Sequence, residues 1–108
     1  MELNLESNRL EKYNVIEHEL QRAKRIHPDY PDNFFKQLII IQEEFGEAKR
    51  AVIHFLNKNG SMERVKTKLV QTAAMCVRML ENLKTDEKYV EEQMTDTYLP
   101  EQDMKDSD

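Results

Sequence analysis

Two short stretches punctuate this 108-residue chain, HPDYPD at residues 27–32 and NKNGS at residues 57–61. The rest is rich in Glu, Lys, Leu, Met and Gln, straight-chain residues that carry a helix forward, and the whole chain holds only two glycines, three prolines and no tryptophan. Pro28 and Pro31 each keep the preceding residue out of the helical region and lack a backbone donor, so a helix arriving at His27 stops there. In the second stretch Gly60 suits a helix C-terminus and Ser61 can cap the helix that follows. The expected fold class is therefore all-α, a single domain whose core depends on well-packed helices.

The apolar spacing places the helices. Leu10, Tyr13, Ile16, Leu20 and Ala23 recur at intervals of three and four, predicting a first helix from Glu6 to Arg25. Asp32 or Asn33 can cap a second, from Phe34 to Leu56, with Leu38, Ile41, Phe45, Ala48, Val52, Phe55 and Leu56 on the face expected to form the core stripe. A third runs from Met62 to Leu83 and is apolar nearly all round between Leu69 and Leu80, as suits a central helix or a subunit interface. Thr85 can cap a short fourth helix ending near Gln93. Residues 1–94 form the helical domain in this reading, and residues 95–108 an acidic, solvated and disordered tail.

Charge and cysteine exclude several classes. Residues 91–108 hold seven acids against Lys105 alone, which accounts for a net charge of -5 over the whole chain and argues against a nucleic-acid partner. The basic QRAKR, residues 21–25, lies at the end of the first helix, where cations complement the macrodipole, and has no interleaved aromatics. Cys76 is the only cysteine; it supports no disulfide framework, fits a reducing compartment, and reads as a small buried hydrophobe. No apolar run reaches the ~18 residues of a membrane span and no leader-like segment opens the chain, so the expected location is cytoplasmic. His18, His27 and His54 lack metal-site spacing and read as surface or loop residues; Met75 and Met79 read as packing.

The chemistry-bearing stretch is IIIQEEFGEAKRAV, residues 39–52. At ~100° per residue, Glu43, Glu44 and Glu47 fall on one side of the second helix, with Glu44 bordering the apolar face. Glu43 meets Glu47 at the i+4 position rather than a base, and Gly46 between them weakens the helix by roughly 0.8–1 kcal/mol relative to alanine. Locally unfavourable choices in one place point to a site, and clustered carboxylates suit a hard cation such as Mg²⁺ that also engages phosphate.

This EExxE motif, with RAKRIHPDYPDN before it, the turn NKNGS after it and then VQTAAMCVRMLENL, resembles the MazG-like family of all-α nucleoside triphosphate pyrophosphohydrolases, in a bacterial and phage-associated branch. The likeness covers roughly residues 15–84. It implies a helical bundle of three long helices plus a short C-terminal one, completed by oligomerisation as a homodimer or homotetramer. It also implies Mg²⁺, or Mn²⁺, held by Glu43, Glu44 and Glu47, and hydrolysis of a (deoxy)nucleoside triphosphate to monophosphate and pyrophosphate. By their position on the helices, Arg78 is a candidate either to contact phosphate or to pair with an acid, and Lys36 and Arg50, close to the glutamate side, are weaker phosphate candidates.

One departure stands out. The family usually completes its site with ExxD on the next helix, and the register here puts Lys68 and Gln71 in those places. Gln71 still offers a carbonyl oxygen to a metal, whereas protonated Lys68 cannot ligate. Either the Lys68 ammonium enters the glutamate cluster and replaces the metal's charge, or it snorkels to solvent and leaves the glutamates to bind metal. An active pyrophosphohydrolase and a noncatalytic helical oligomer that binds a nucleotide or protein partner are thus both open readings.

Overall fold

The computed structural model describes residues 5–96, folded into four helices with no strand among them: α1 (Leu5–Ile26), α2 (Phe34–Leu56), α3 (Met62–Asn82) and α4 (Glu87–Asp96). None of these helices is long and apolar enough to cross a membrane. Most of the tail expected to be disordered, residues 97–108, lies outside the described residues.

Local chemistry explains the boundaries. The Asn33 side chain accepts the Lys36 backbone N–H at 3.0 Å and Ser61 accepts that of Arg64 at 3.1 Å, two N-caps that start α2 and α3 where the sequence predicts. The expectation at Thr85 is corrected: Asp86 caps α4 by accepting the Tyr89 N–H at 3.0 Å. The role given to Gly60 also changes. Lys58, at φ 65°, takes the left-handed position after α2, while Gly60 is needed because a Cβ there would lie 3.0 Å from that of His54. No comparable constraint acts on Gly46, where a Cβ would meet nothing within 4 Å.

Helix α3 is central, packed antiparallel against α2 and side by side with α1. The contacts run through small residues: Ala23, Ala48, Ala51 and Ala74 are all buried, which lets the helix backbones approach closely. Leu20 and Met75 fill the remaining space, with Ile16, Ile40, Ile41 and Val77 packed around them. Helix α4 braces the start of α2. Tyr89 is buried, donates its hydroxyl to the Asp32 carbonyl and meets Phe34 edge to face at 5.2 Å, while Gln93 accepts the Phe34 N–H at 2.7 Å.

The predicted core stripe of α2 is not the face that α3 covers. Within the chain Ala48 is buried and Ile41 half-buried, but Phe45 is 60 % and Leu56 71 % exposed, and Leu38, Val52 and Phe55 are also open. The close-packing alanines, not the bulkiest side chains, decide which side of α2 faces α3. That rotation turns Glu44 and Glu47 inward and leaves an apolar stripe outside. Leu10 and Tyr13 of α1, Leu69 and Leu80 of α3, and Cys76 are likewise exposed rather than buried. Neighbouring helices cover α3 on two sides but not all round.

Candidate functional site

A cleft of about 530 Å³ opens where α1, α2, α3 and the α1–α2 loop meet. The pairing of α2 with α3 carries Glu43, Glu44 and Glu47 to one wall and Lys68, Gln71 and Arg78 to the other. Helical periodicity explains the second wall, since positions 68, 71, 75 and 78 rise along a single stripe of α3. Two candidates drawn from the sequence stay out of the cleft. Lys36 and Arg50 do not line it, because each lies about two helical turns along α2 from Glu43, toward opposite ends of the helix.

Lys68 bridges the two walls. Its ammonium donates to Glu47 Oε1 at 2.7 Å and to Gln71 Oε1 at 3.2 Å, with its side chain only 14 % exposed. It enters the glutamate cluster and does not snorkel away. The hydrogen bond from Lys68 is the main reason that the Glu47 carboxyl is held below the ordinary range; burial opposes it, and the charges of Lys68, Arg50 and Arg64 add to it. Arg50 therefore acts on the site from outside as a charge.

Glu44 is in the opposite condition. It is half-buried, its Oε2 is sealed from solvent without a hydrogen-bond partner, and burial is the first cause of its raised pKa. The Glu47 charge raises it further, Lys68 offsets part of this, and Glu19 and Glu43 add smaller repulsions. A carboxyl with a raised folded pKa binds its proton more tightly in the folded state, so ionising Glu44 lowers stability as pH rises above the ordinary carboxylate range. E44Q is expected to be more stable than the parent near neutral pH, by about 1 kcal/mol. The gain should vanish in acid, where both states protonate the parent residue. Urea titrations at two pH values measure it, and a less stable E44Q at neutral pH would mean that Glu44 has a partner.

Side chains outside the predicted set complete the cleft. Glu19 and Arg22 come from α1, joined by a two-pronged pair with Nε–Oε1 at 2.9 Å and Nη2–Oε2 at 3.0 Å; His27, Asp29 and Tyr30 come from the loop. Arg22 belongs to the basic stretch that the macrodipole explains, and its i−3 acid Glu19 was the one local sign of a second role. Lys24 pairs with Glu81 at 2.8 Å instead, tying α1 to α3. Of the histidines, His18 lines a separate groove of about 640 Å³ between α1 and α3, and His54 is exposed.

No family model, curated protein or solved structure matches the chain. The site therefore has to be read from its own chemistry. Its lining carries five carboxylates, Glu19, Asp29, Glu43, Glu44 and Glu47, against three fixed cations, Arg22, Lys68 and Arg78. That excess attracts cations to the glutamate-lined part of the cleft. Among the described residues no three His, Cys, Asp or Glu side chains already stand grouped as a metal site.

Proposed function

We propose that the chain is a MazG-like, cytoplasmic pyrophosphohydrolase that binds a (deoxy)nucleoside triphosphate in the α2–α3 cleft and cleaves it to monophosphate and pyrophosphate. The observation that carries this reading is the unpartnered, buried Oε2 of Glu44 beside Glu43 and Glu47, facing an amide and two cations across the cleft. An orphan carboxylate oxygen in an acid-rich cleft fits a hard divalent cation, with Glu43, Glu44, Glu47 and the Gln71 carbonyl as the donors for Mg²⁺ or Mn²⁺. Such an ion, when bound, neutralises phosphate charge and acidifies water.

The chain's own residues supply the rest. In this reading Arg78, on the α3 wall, contacts the phosphates, and one of the glutamates accepts a proton from water attacking the α-phosphorus as the bond to the pyrophosphate oxygen breaks. Lys68 competes with the metal for Glu47 and Gln71 and sets a limit on metal affinity. Pyrophosphate release across a panel of nucleoside triphosphates with Mg²⁺ or Mn²⁺ tests the reading. Turnover abolished by E44Q supports it, and absence of release with every nucleotide and metal would reject it.

The bridge made by Lys68 at 2.7 and 3.2 Å favours a second reading, a noncatalytic relative whose site carries its own cation and whose role is assembly or binding a nucleotide or protein partner. Both readings include a homodimer or homotetramer. Leu38, Phe45, Val52 and Leu56 form an apolar stripe along α2 that stays 37–71 % exposed, and an isologous contact with a second copy would bury it. F45E is expected to shift the protein to monomer in light scattering; a parent protein that is itself monomeric at high concentration would remove oligomerisation from both readings.

A further inference from the structure

Arg78 is 6 % exposed, yet no carboxylate among the described residues pairs with it. Glu81, three residues further along α3, is taken by Lys24 at 2.8 Å. The guanidinium instead donates through Nη2 to the His27 carbonyl at 2.7 Å and lies 4.5 Å from the centre of the Tyr30 ring. Buried arginines are nearly always matched by an anion, because an uncompensated charge in low dielectric is costly. One carbonyl and one aromatic face orient this guanidinium but leave its charge and most of its five donors uncommitted.

The surroundings point the same way. Tyr30 lines the cleft with Arg78, and its hydroxyl is buried without a partner. Burial pushes the Tyr30 phenol up while Arg78 and Cys76 act on it electrostatically, and no carboxylate does so, in contrast to the crowding around Glu44. The cleft is thus graded along its length: the glutamates gather at the level of Lys68 and Gln71, and Arg78 stands at the His27–Tyr30 end, where Asp29 also lines the cleft but forms no ion pair with it. Ten residues of α3 separate Lys68 from Arg78, a rise of roughly 15 Å along one cleft.

We propose that Arg78, held against the Tyr30 ring, is a seat for a phosphate oxyanion, and that it receives the distal phosphates of a polyphosphate whose other end lies at Glu43, Glu44 and Glu47. The ligand class rests on the pyrophosphohydrolase reading; the seat itself does not. A planar guanidinium fixed on an aromatic face presents its remaining N–H groups as a fork, the geometry that pairs with two phosphate oxygens at once. It needs no metal to do so, and the leaving pyrophosphate is the part of the substrate it would hold.

Inorganic pyrophosphate in EDTA is the probe, since chelation removes any metal-mediated binding at the acid end. Calorimetry on the full chain is expected to show binding in the millimolar range or tighter, weakened at least tenfold by R78Q and only within about threefold by Y30F, which keeps the ring. Because R78Q removes a buried group and can unfold the chain, the second readout is the Arg78 Nε–Hε resonance of the parent protein, expected to shift as pyrophosphate is added. An unmoved resonance, or no pyrophosphate binding in EDTA, would overturn the seat and leave Arg78 a staple between α3 and the loop. Pyrophosphate binding through Arg78 in a protein that hydrolyses no nucleotide would uphold the seat while rejecting the enzymatic reading.

Discussion

L20A is expected to destabilise the fold by about 3 kcal/mol and to lower the melting temperature by roughly 10–20 °C. Leu20 is 1 % exposed and is the largest apolar side chain fully enclosed among the described residues, packed among Ala23, Ala74 and Met75. Those neighbours are small or already committed, so the space left by the lost methyls has nothing to refill it. A domain of this size has about 5–15 kcal/mol to lose, which makes a single leucine a large share. The cost should be felt first in α1, where Ala23 is the other buried side chain among the described residues. Because Glu19, Arg22 and Ala23 line the cleft, loosening α1 also opens the site. Hydrogen exchange in α1 should therefore accelerate more than in α2. L10A is the matched control: Leu10 is 54 % exposed, and its loss is expected to change stability by less than about 0.5 kcal/mol. Equal effects at the two positions would mean that α1 is not held at Leu20.

The contrast between Leu10 and Leu20 shows what the amino-acid pattern carries. Both sit on one periodic stripe, and periodicity alone says that a stripe exists, not how far a neighbour covers it. Caps are legible because they are settled within four residues: Asn33 and Ser61 satisfy donors three positions on, whatever the rest of the chain does. Thr85 and Asp86 are adjacent and equally able to cap, and the difference lies in where Tyr89 must point to reach Asp32, a contact 57 residues away. The same limit governs α2. Its stripe from Leu38 to Leu56 is real, but Ala48, Ala51 and Ala74 determine which side meets α3, and alanine contributes little to an apolar pattern. The rotation follows only when both helices are considered together. It is also what makes the site, since it turns Glu44 and Glu47 toward α3. Glu19, Arg22 and Tyr30 were hidden for a related reason: their place at the cleft depends on how α1 lies against α3.

K68E is expected to tighten Mg²⁺ binding at least tenfold in calorimetry. The substitution removes a cation from Glu47 and Gln71 and adds a carboxylate at the same point on α3, so both changes favour a divalent ion. At an effective dielectric of about 20 each unit charge 4 Å from another is worth about 4 kcal/mol, or twice that against a divalent ion; solvent and salt reduce this greatly, and tenfold is a conservative floor. Without metal the variant should melt lower than the parent, because a sixth acid joins five and Glu47 loses the bond that holds its pKa down. Adding Mg²⁺ should restore it, since an ion that binds only the folded state stabilises that state. The opposite signs with and without metal are diagnostic: a general packing defect would lower both melts. K68M separates the two parts of the effect, removing the cation without adding a ligand, and should fall between parent and K68E. If the parent already binds Mg²⁺ as tightly as K68E, Lys68 yields the site at no cost and its bridge to Glu47 is incidental. If none of the three responds to Mg²⁺, the glutamates are not metal ligands, and the noncatalytic reading gains the ground. A tightened K68E that also releases more pyrophosphate than the parent would place Lys68 as the residue that restrains the chemistry of this cleft.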